Sequence, residues 1–471
     1  MGPTEQVLSS TGDEIPSPRR VSLLRHFSRR SGEKGVAIAG SFELQVASTH
    51  DELIDLDWHP TWLASQRSNL PPSVTSLCLH GKPISEDQIF DLVFRQVATY
   101  SCDNRGFSVD DVIDHLHATV GLEDTDGGHK LDAKRLLVFA VLGWQTMVYQ
   151  PGLGVCPLDE LAIHHDTGAP DSRLIFNSYK TQTDLCDRPL FVLLKDFGNL
   201  LPARSRSSTT EAAVENSKVA ASWEALYPDE LNAYHLRTLL GVRFRWVDIL
   251  ALHLDYDNST KTLSLFGFPS VCASQLSNGR HGPNESAIFA FASTETRMDA
   301  PDPRANEADI RQLLREVLLS FRLLFGQSAK SRKLFRQVYS PAVAPFPQPD
   351  TLLAYLCSER QLPSATRNNT SPDDDNNDDG DEAKGRWMPR DRSAYYAARH
   401  FPVLYERVEL IAQELNRSRP KSMGGLIRDR RDTLQFWTFW LVTTVGGVSI
   451  FLSTIQIILQ GVQIAQAAGK I

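Results

Sequence analysis

Basic residues are not in excess in this sequence: 49 Lys and Arg stand against 57 Asp and Glu, a formal net charge of −8. A nucleic-acid-binding body needs a cationic stripe to neutralise phosphates, so no nucleic-acid partner is expected. The deficit is itself local. Asp373 to Glu382 (DDDNNDDGDE) holds seven acidic residues, and taking those seven charges from −8 leaves −1 for the rest. Cysteine is sparse: Cys78, Cys102, Cys156, Cys186, Cys272 and Cys357 are the six, none in a C-x-x-C pair. That excludes a zinc-finger spacing and a dense disulfide framework, and reads as reduced, buried thiols in a cytosolic compartment.

Catalytic signatures are absent too. There is no G-x-x-x-x-G-K-[ST], G-x-S-x-G, H-E-x-x-H or kinase motif set. Gly152-Leu153-Gly154 lacks a third glycine and runs into Pro157, so it is no dinucleotide fingerprint. Asp103-Asn104-Arg105-Gly106 puts Gly106 at the sixth position of a calcium loop, but Arg105 and Val112 fall where ligands are needed, and Glu123–Gly128 ends on Lys134 instead of a bidentate Glu. His115 and His117, two apart on a helix, point to different faces and make a poor metal pair. His164-His165-Asp166 is the densest titratable cluster, an imidazole beside a carboxylate with no nucleophile near it in sequence. No cofactor and no metal are expected. Asp248, His253, Asp255 and Asp257 lie on an expected strand and read as a solvated sheet face. The N-terminus shows neither a signal-peptide core nor a myristoylation pattern, with Pro3 and Gln6 where the latter wants otherwise.

What is present organises the chain into six stretches. Residues 1–40 read as a disordered polar tail, 41–361 as a globular α+β region, and 362–393 as an acidic disordered insertion. Residues 394–432 read as an amphipathic helix with a basic juxtamembrane segment, 433–464 as a transmembrane helix, and 465–471 as a short tail. The fold class expected is α+β: a predominantly helical cytosolic domain with a β-hairpin or small sheet, plus one C-terminal transmembrane helix.

Within the body, helices are expected from Ser85 through Val97, with Ser85 as cap, and from Ser108 to Val120. Lys134–Tyr149 is apolar nearly all round and reads as a buried central helix. Leu190–Leu194 suits a buried strand, Trp223–Leu240 a helix, and Ile249–Tyr256 with Lys261–Phe268 a hairpin about Asp257–Thr260. Ala287–Ala292 suits a further strand. Ala308–Phe325 reads as an amphipathic helix with Arg311, Arg315 and Arg322 on the polar side, and Thr351–Glu359 as a short helix. In Ala394–Arg417 a narrow stripe, Leu404, Val408, Ile411 and Leu415, is expected to pack on its own domain.

No charged residue lies between Asp432 and Lys470, and Phe436–Leu459 is long and apolar enough to span a bilayer. Phe436, Trp437, Phe439 and Trp440 form an aromatic belt at one end. Arg417, Arg419, Lys421, Arg428, Arg430 and Arg431 precede the span and only Lys470 follows it, which puts residues 1–432 in the cytosol in a tail-anchored arrangement. Phe436, Trp437, Phe439, Trp440, Arg428, Arg430 and Arg431 are therefore the expected membrane-interface residues. Thr443, Gly447, Ser449 and Ser453 are candidate helix–helix contacts, since small side chains four apart allow close approach. The charge after the span leans toward the endoplasmic reticulum and secretory pathway.

The stretch Arg430 to Trp440 (RRDTLQFWTFW), followed by Gly446-Gly447, Ser449 and Gln456, resembles the C-terminal end of a family of uncharacterised filamentous-fungal membrane proteins. Trp246–Phe268, ending Phe266-Gly267-Phe268-Pro269, is similar to those proteins as well. The resemblance implies a fungal membrane protein and brings no activity. The leading expectation is a non-enzymatic, membrane-tethered interaction protein with the bilayer and an unidentified cytosolic protein as partners. The alternatives are a membrane-tethered enzyme, a hydrolase around His164 or His165, and a scaffold that homo-oligomerises through its transmembrane helix.

Overall fold

The computed structural model describes residues 56–79, 81–122, 128–154, 159–164, 178–205, 225–278, 286–293, 304–339, 348–358, 388–418, 433–467 and 469. The N-terminal tail, the acidic run, Cys156, His165, Asp166 and the basic residues 419–431 lie outside the described residues.

The body begins helically. α1 (Trp58–Arg67) buries Trp58 and Trp62, and Trp58 stacks on Phe268 at 3.8 Å. A two-residue ribbon, β1 (Cys78–Leu79) with β2 (Lys82–Pro83), leads into α2 (Asp87–Asp103). Its N-cap position is Glu86 and makes no side-chain cap, so Ser85 is not the cap expected. α3 (Val109–Val120) opens on a capping box: Ser108 accepts from the Asp111 N–H while the Asp111 carboxylate accepts from the Ser108 N–H. α4 (Gly128–Thr146) is the buried central helix, with Leu137 to Leu142 and Trp144 without solvent exposure. The chain doubles back behind it, and the Tyr149 hydroxyl donates to the Phe139 carbonyl at 2.7 Å. A Cβ on Gly143 would stand 2.7 Å from the Tyr149 ring, so only glycine permits that return.

Next come β3 (Glu160–Ala162) and β4 (Lys180–Gln182), paired antiparallel, and α5 (Leu190–Phe197). The strand expected over Leu190–Leu194 is thus a helix. Leu190, Leu193, Leu194 and Phe197 are its buried residues, a helical spacing that a short apolar run does not reveal. Likewise Ala287–Phe291 is a buried 3₁₀ turn instead of a strand.

In place of a helix over Trp223–Leu240 stand β5 (Ala225–Leu226), an Asn232-capped turn Ala233–His235, and a π turn Leu236–Leu240. The expected hairpin is only partly formed. β6 (Arg243–Val247), β7 (Tyr256–Asp257) and β8 (Thr262–Phe266) make a three-stranded sheet in the order β6-β8-β7. β7 and β8 pair antiparallel for two residues, whereas β6 and β8 run parallel over five, from Arg243↔Thr262 to Val247↔Phe266. A 3₁₀ turn at Leu250–Leu252 and a positive φ of 59° at Leu254 end the strand that alternation suggested.

α6 (Pro269–Asn278) precedes α7 (Glu307–Phe321), which opens on an Asn306–Asp309 capping box and widens into a π turn, Arg322–Gly326. α8 (Ala329–Val338) and α9 (Thr351–Leu356) follow, the latter capped by Asp350, which accepts from the Leu353 N–H. The helix expected over Ala394–Arg417 is split. β9 (Tyr395–Tyr396) pairs with β5, Ala397–His400 makes one turn, and α10 (Tyr405–Arg417) starts after Pro402, which disfavours a helical residue before it. Val408, Ile411 and Leu415 of α10 are buried in the body's core, as that stripe predicts. α11 (Thr433–Ala467) is the last helix.

Candidate functional site

α11 is the feature whose surface demands an explanation. Over Trp437–Ala467, 31 residues, it is long and apolar enough to cross a membrane, and none of it is buried. Fifteen large apolar side chains from Trp437 to Ile464 are exposed on it, whereas only Leu131, Tyr227 and Tyr396 are so elsewhere among the described residues. Each such side chain left in water forgoes about 1.5–3 kcal/mol of burial, a total of tens of kcal/mol that an apolar surrounding would recover. At 1.5 Å per residue the span is roughly 46 Å, more than a hydrocarbon core of about 30 Å requires.

Three hydroxyls of α11 are satisfied within the helix itself. The Ser449 hydroxyl donates to the Val445 carbonyl at 2.9 Å, Ser453 to Ser449 at 2.9 Å, and Thr454 to Ile450 at 2.8 Å. Hydroxyls satisfied within their own helix cost little in hydrocarbon. Trp437 and Trp440 are exposed and Phe439 half-buried at the N-terminal end, while the Phe436 side chain is outside the described residues. Of the basic cluster only Arg417 is described, exposed beside Glu414 at 3.4 Å. The four small positions do not form one stripe. At about 100° per residue the Ser449/Ser453 pair sits roughly 120° around the helix from Thr443/Gly447, so one flat contact uses only one pair.

The titratable clusters are committed elsewhere. His164 is exposed, and its backbone N–H donates to the Gln150 carbonyl at 2.6 Å. The neighbouring carboxylate, Asp248, is half-buried and holds the Trp62 indole at 3.3 Å and the Gln150 amide at 2.8 Å on one oxygen. Burial pushes the Asp248 carboxyl up, offset by those donors and by His164. His117 Nε2 lies 2.9 Å from Lys134 Nζ, and His115 packs on the Tyr100 ring at 4.7 Å. Arg105 folds back on the carbonyls of Ser101, Cys102 and Asn104, so a cation fills the loop read against calcium. Among the described residues no three His, Cys, Asp or Glu side chains are placed to hold a metal.

His253, Asp255 and Asp257 correct a second expectation: they are buried, at 0, 6 and 5 % exposure, and are no solvated face. Asp257 accepts from the Ser259 and Thr260 hydroxyls at 2.6 Å and so builds the turn. His253 spans the core, with Nε2 2.8 Å from the Ser320 hydroxyl of α7 and Nδ1 accepting from the Phe266 N–H at 3.2 Å. Burial, then the Arg407 charge, holds its imidazole down at about 3.

From this point a polar seam binds the last helix of the body to α7. Glu316, fully buried, accepts from the backbone N–H groups of Val403 at 3.0 Å and Leu404 at 2.6 Å, at the start of α10. Arg407 of α10 donates to the carbonyls of Ala251 at 2.8 Å and His253 at 2.6 Å. Arg322, expected on the polar side of its helix, is 1 % exposed and grips Asp391 through two bonds of 2.7 and 2.6 Å. A Cβ on Gly326 would come within 2.7 Å of that guanidinium and 2.6 Å of the Leu356 carbonyl. Sequence reasoning missed the seam because its partners lie 69 to 156 residues apart.

One surface cavity of about 230 Å³ opens beside α5, between Phe191, Leu194, Leu200 and Phe291, with Lys195 and Arg304 at its walls. The Arg304 guanidinium lies 5.2 Å from the Phe191 ring centre.

No known protein family matches this chain, and no curated protein or solved structure is significantly similar to it.

Proposed function

We propose that this chain is a single-pass membrane protein, anchored by α11, whose cytosolic body serves as an interaction domain. The observation that carries the reading is the long, uncharged and predominantly apolar surface of α11, which nothing in the described body covers. Charge asymmetry supplies the orientation: the basic residues before the span favour the cytosolic side and residues 419–431 would meet anionic headgroups. The seam at Glu316, Arg407 and Arg322 supports a mechanical role. α10, the last element described before the anchor, is built into the body's core, so the chain leaves for the membrane from a fixed point of the body. Near His164 the described polar groups of Trp62, Gln150 and Asp248 bond to one another and hold the structure, which suits a binding domain.

Alkaline carbonate extraction of membranes from cells expressing the full chain tests the anchor. The chain should remain in the pellet, and a chain lacking residues 433–467 should move to the supernatant. Release of the intact chain by carbonate would overturn the reading.

A further inference from the structure

α8 carries Lys330, Arg332, Lys333 and Arg336 and no acidic residue. Ser331, Leu334 and Phe335 are its buried side, with Phe335 stacked on Tyr339 and edge-on to Trp246. That packing fixes the helix's rotation and leaves Lys330, Lys333 and Arg336 exposed at three-residue spacing, one helical face. Arg332 is used internally, donating to the carbonyls of Gly326 and Gln327. Tyr234 donates its N–H to the Ser331 hydroxyl and lies under Lys330 at 4.9 Å, which brings the turn bearing exposed Arg237 alongside.

Arg135, Lys180, Arg311 and Lys261 each face a carboxylate within 4 Å. Lys330, Lys333, Arg336 and Arg237 make no ion pair among the described residues, Asp229 and Glu230 being the exposed acids of the adjoining turn. Other exposed cations, Lys82, Arg95, Arg188 and Arg243, also lack an ion pair among those residues, but Lys330, Lys333, Arg336 and Arg237 stand together on one helix and the turn beside it. Next to them lies the β5–β9 ribbon, tied to the start of α8 by the Gln327 amide donating to the Arg392 carbonyl at 3.0 Å. The ribbon presents Tyr396 and its neighbour Tyr227, two of the three large apolar side chains exposed outside α11.

We infer that this face, Lys330, Lys333, Arg336 and Arg237 bordered by Tyr227 and Tyr396, lies on the anionic lipid headgroups of the membrane that α11 enters. The inference rests on the reading that α11 spans. Unpaired cations gain most where phospholipid charge is dense, and tyrosine rings suit the headgroup layer. Residues 419–432 separate α10 from α11 and reach at most about 50 Å when extended, so the body stays within easy range of the surface. Contact is then intramolecular, and a weak multivalent attraction suffices. An acidic protein segment would satisfy the lysines but not explain the tyrosines.

The test reconstitutes the full chain in vesicles of phosphatidylcholine alone or with about one third phosphatidylglycerol. Acetylation of Lys330 and Lys333 is followed by mass spectrometry against a free lysine peptide in the same tube. Both lysines should react roughly five-fold more slowly on the anionic vesicles, and the protection should vanish in high salt. In the K333E/R336E chain Lys330 should lose that protection while carbonate resistance stays. Equal rates on both vesicles, with the chain still resistant to carbonate, would overturn this inference and leave the anchor intact. Protection on both vesicles that disappears when the acids of Asp373–Glu382 are neutralised would also overturn it, since the chain's own acidic run would be the occupant. Extraction by carbonate would instead remove the anchor reading, and this one with it.

Discussion

Replacing Glu316 by Gln keeps the shape of a fully buried side chain and turns one of its two acceptors into a donor. The retained oxygen can keep the 2.6 Å bond from Leu404, so the new amide would face the Val403 N–H. A lost hydrogen bond with an orphaned buried N–H costs about 1–3 kcal/mol, and a middle value of ~2 is roughly 30-fold in an opening equilibrium. Glu316→Ala removes both acceptors and leaves a cavity, for about 3–5 kcal/mol. The loss should be local, because the groups it strands belong to the entry of α10. Hydrogen–deuterium exchange on the full chain in lipid nanodiscs at pH 4.5, where the neutral Glu316 carboxyl makes its full contribution, measures it. Peptides covering Val408, Ile411 and Leu415 should exchange about 30-fold faster in the Gln variant, and peptides from α4 should not change. Unchanged protection of α10 would show that Glu316 does not hold it, and equal loss in α4 would show a single cooperative unit with no separable latch.

Other consequences are as direct. Burial raises the Glu316 carboxyl to about 8 from an ordinary 4.5, so its contribution to stability is complete below 4.5 and is lost as pH rises to 8. Asp350, raised by burial to about 6 from 3.8, behaves the same way over that lower window. His253 has the opposite sign: held at about 3 against 6.5, it contributes fully above 6.5 and the contribution is lost as pH falls toward 3. In denaturant titrations of the full chain in detergent, Glu316→Gln should therefore flatten the decline between 4.5 and 8, and a decline of unchanged slope contradicts the assignment. Asp391→Asn, which weakens the one carboxylate partner of the buried Arg322 among the described residues, should lower stability by about 2–4 kcal/mol, and a stability within about 0.5 kcal/mol of the parent would show that the backbone carbonyls suffice. Gly143→Ala should displace Tyr149 and cost about 1–3 kcal/mol by thermal melting, whereas an unchanged melt would mean the return of the chain behind α4 has slack.

The parts of this fold that are legible in the sequence are those with a local period. α3, with Ser108 ahead of Val112, Ile113 and Leu116, announces both its cap and its face. α7, the Val408–Ile411–Leu415 stripe of α10 and the uncharged length of α11 are equally plain. Short apolar runs are not: Leu190–Leu194 and Ala287–Phe291 are too brief for a period of two to be told from 3.6. The parallel pairing of β6 with β8 is invisible locally, because Arg243-Phe244-Arg245-Trp246 reads as polar and its aromatics find Phe325 and Tyr339 far along the chain. Buried charge is the hardest case. Arg322 and His253 sit where a pattern of polar residues predicts solvent, and only partners dozens of residues away reveal that they face inward. The basic run Lys330–Arg336 is plain as composition, but that it forms a helix with one exposed face needs the structure to be seen.

The central claim is that α11 spans a membrane with the body on the cytosolic side. An N-glycosylation acceptor fused after Ile471 reports one orientation, and the native sequons at Asn258 and Asn416 report the other. On translation with microsomes, the account predicts glycosylation of the fused acceptor alone, with protease digesting the body and sparing a small C-terminal fragment. A body glycosylated at Asn258 or Asn416 and protected from protease would contradict it.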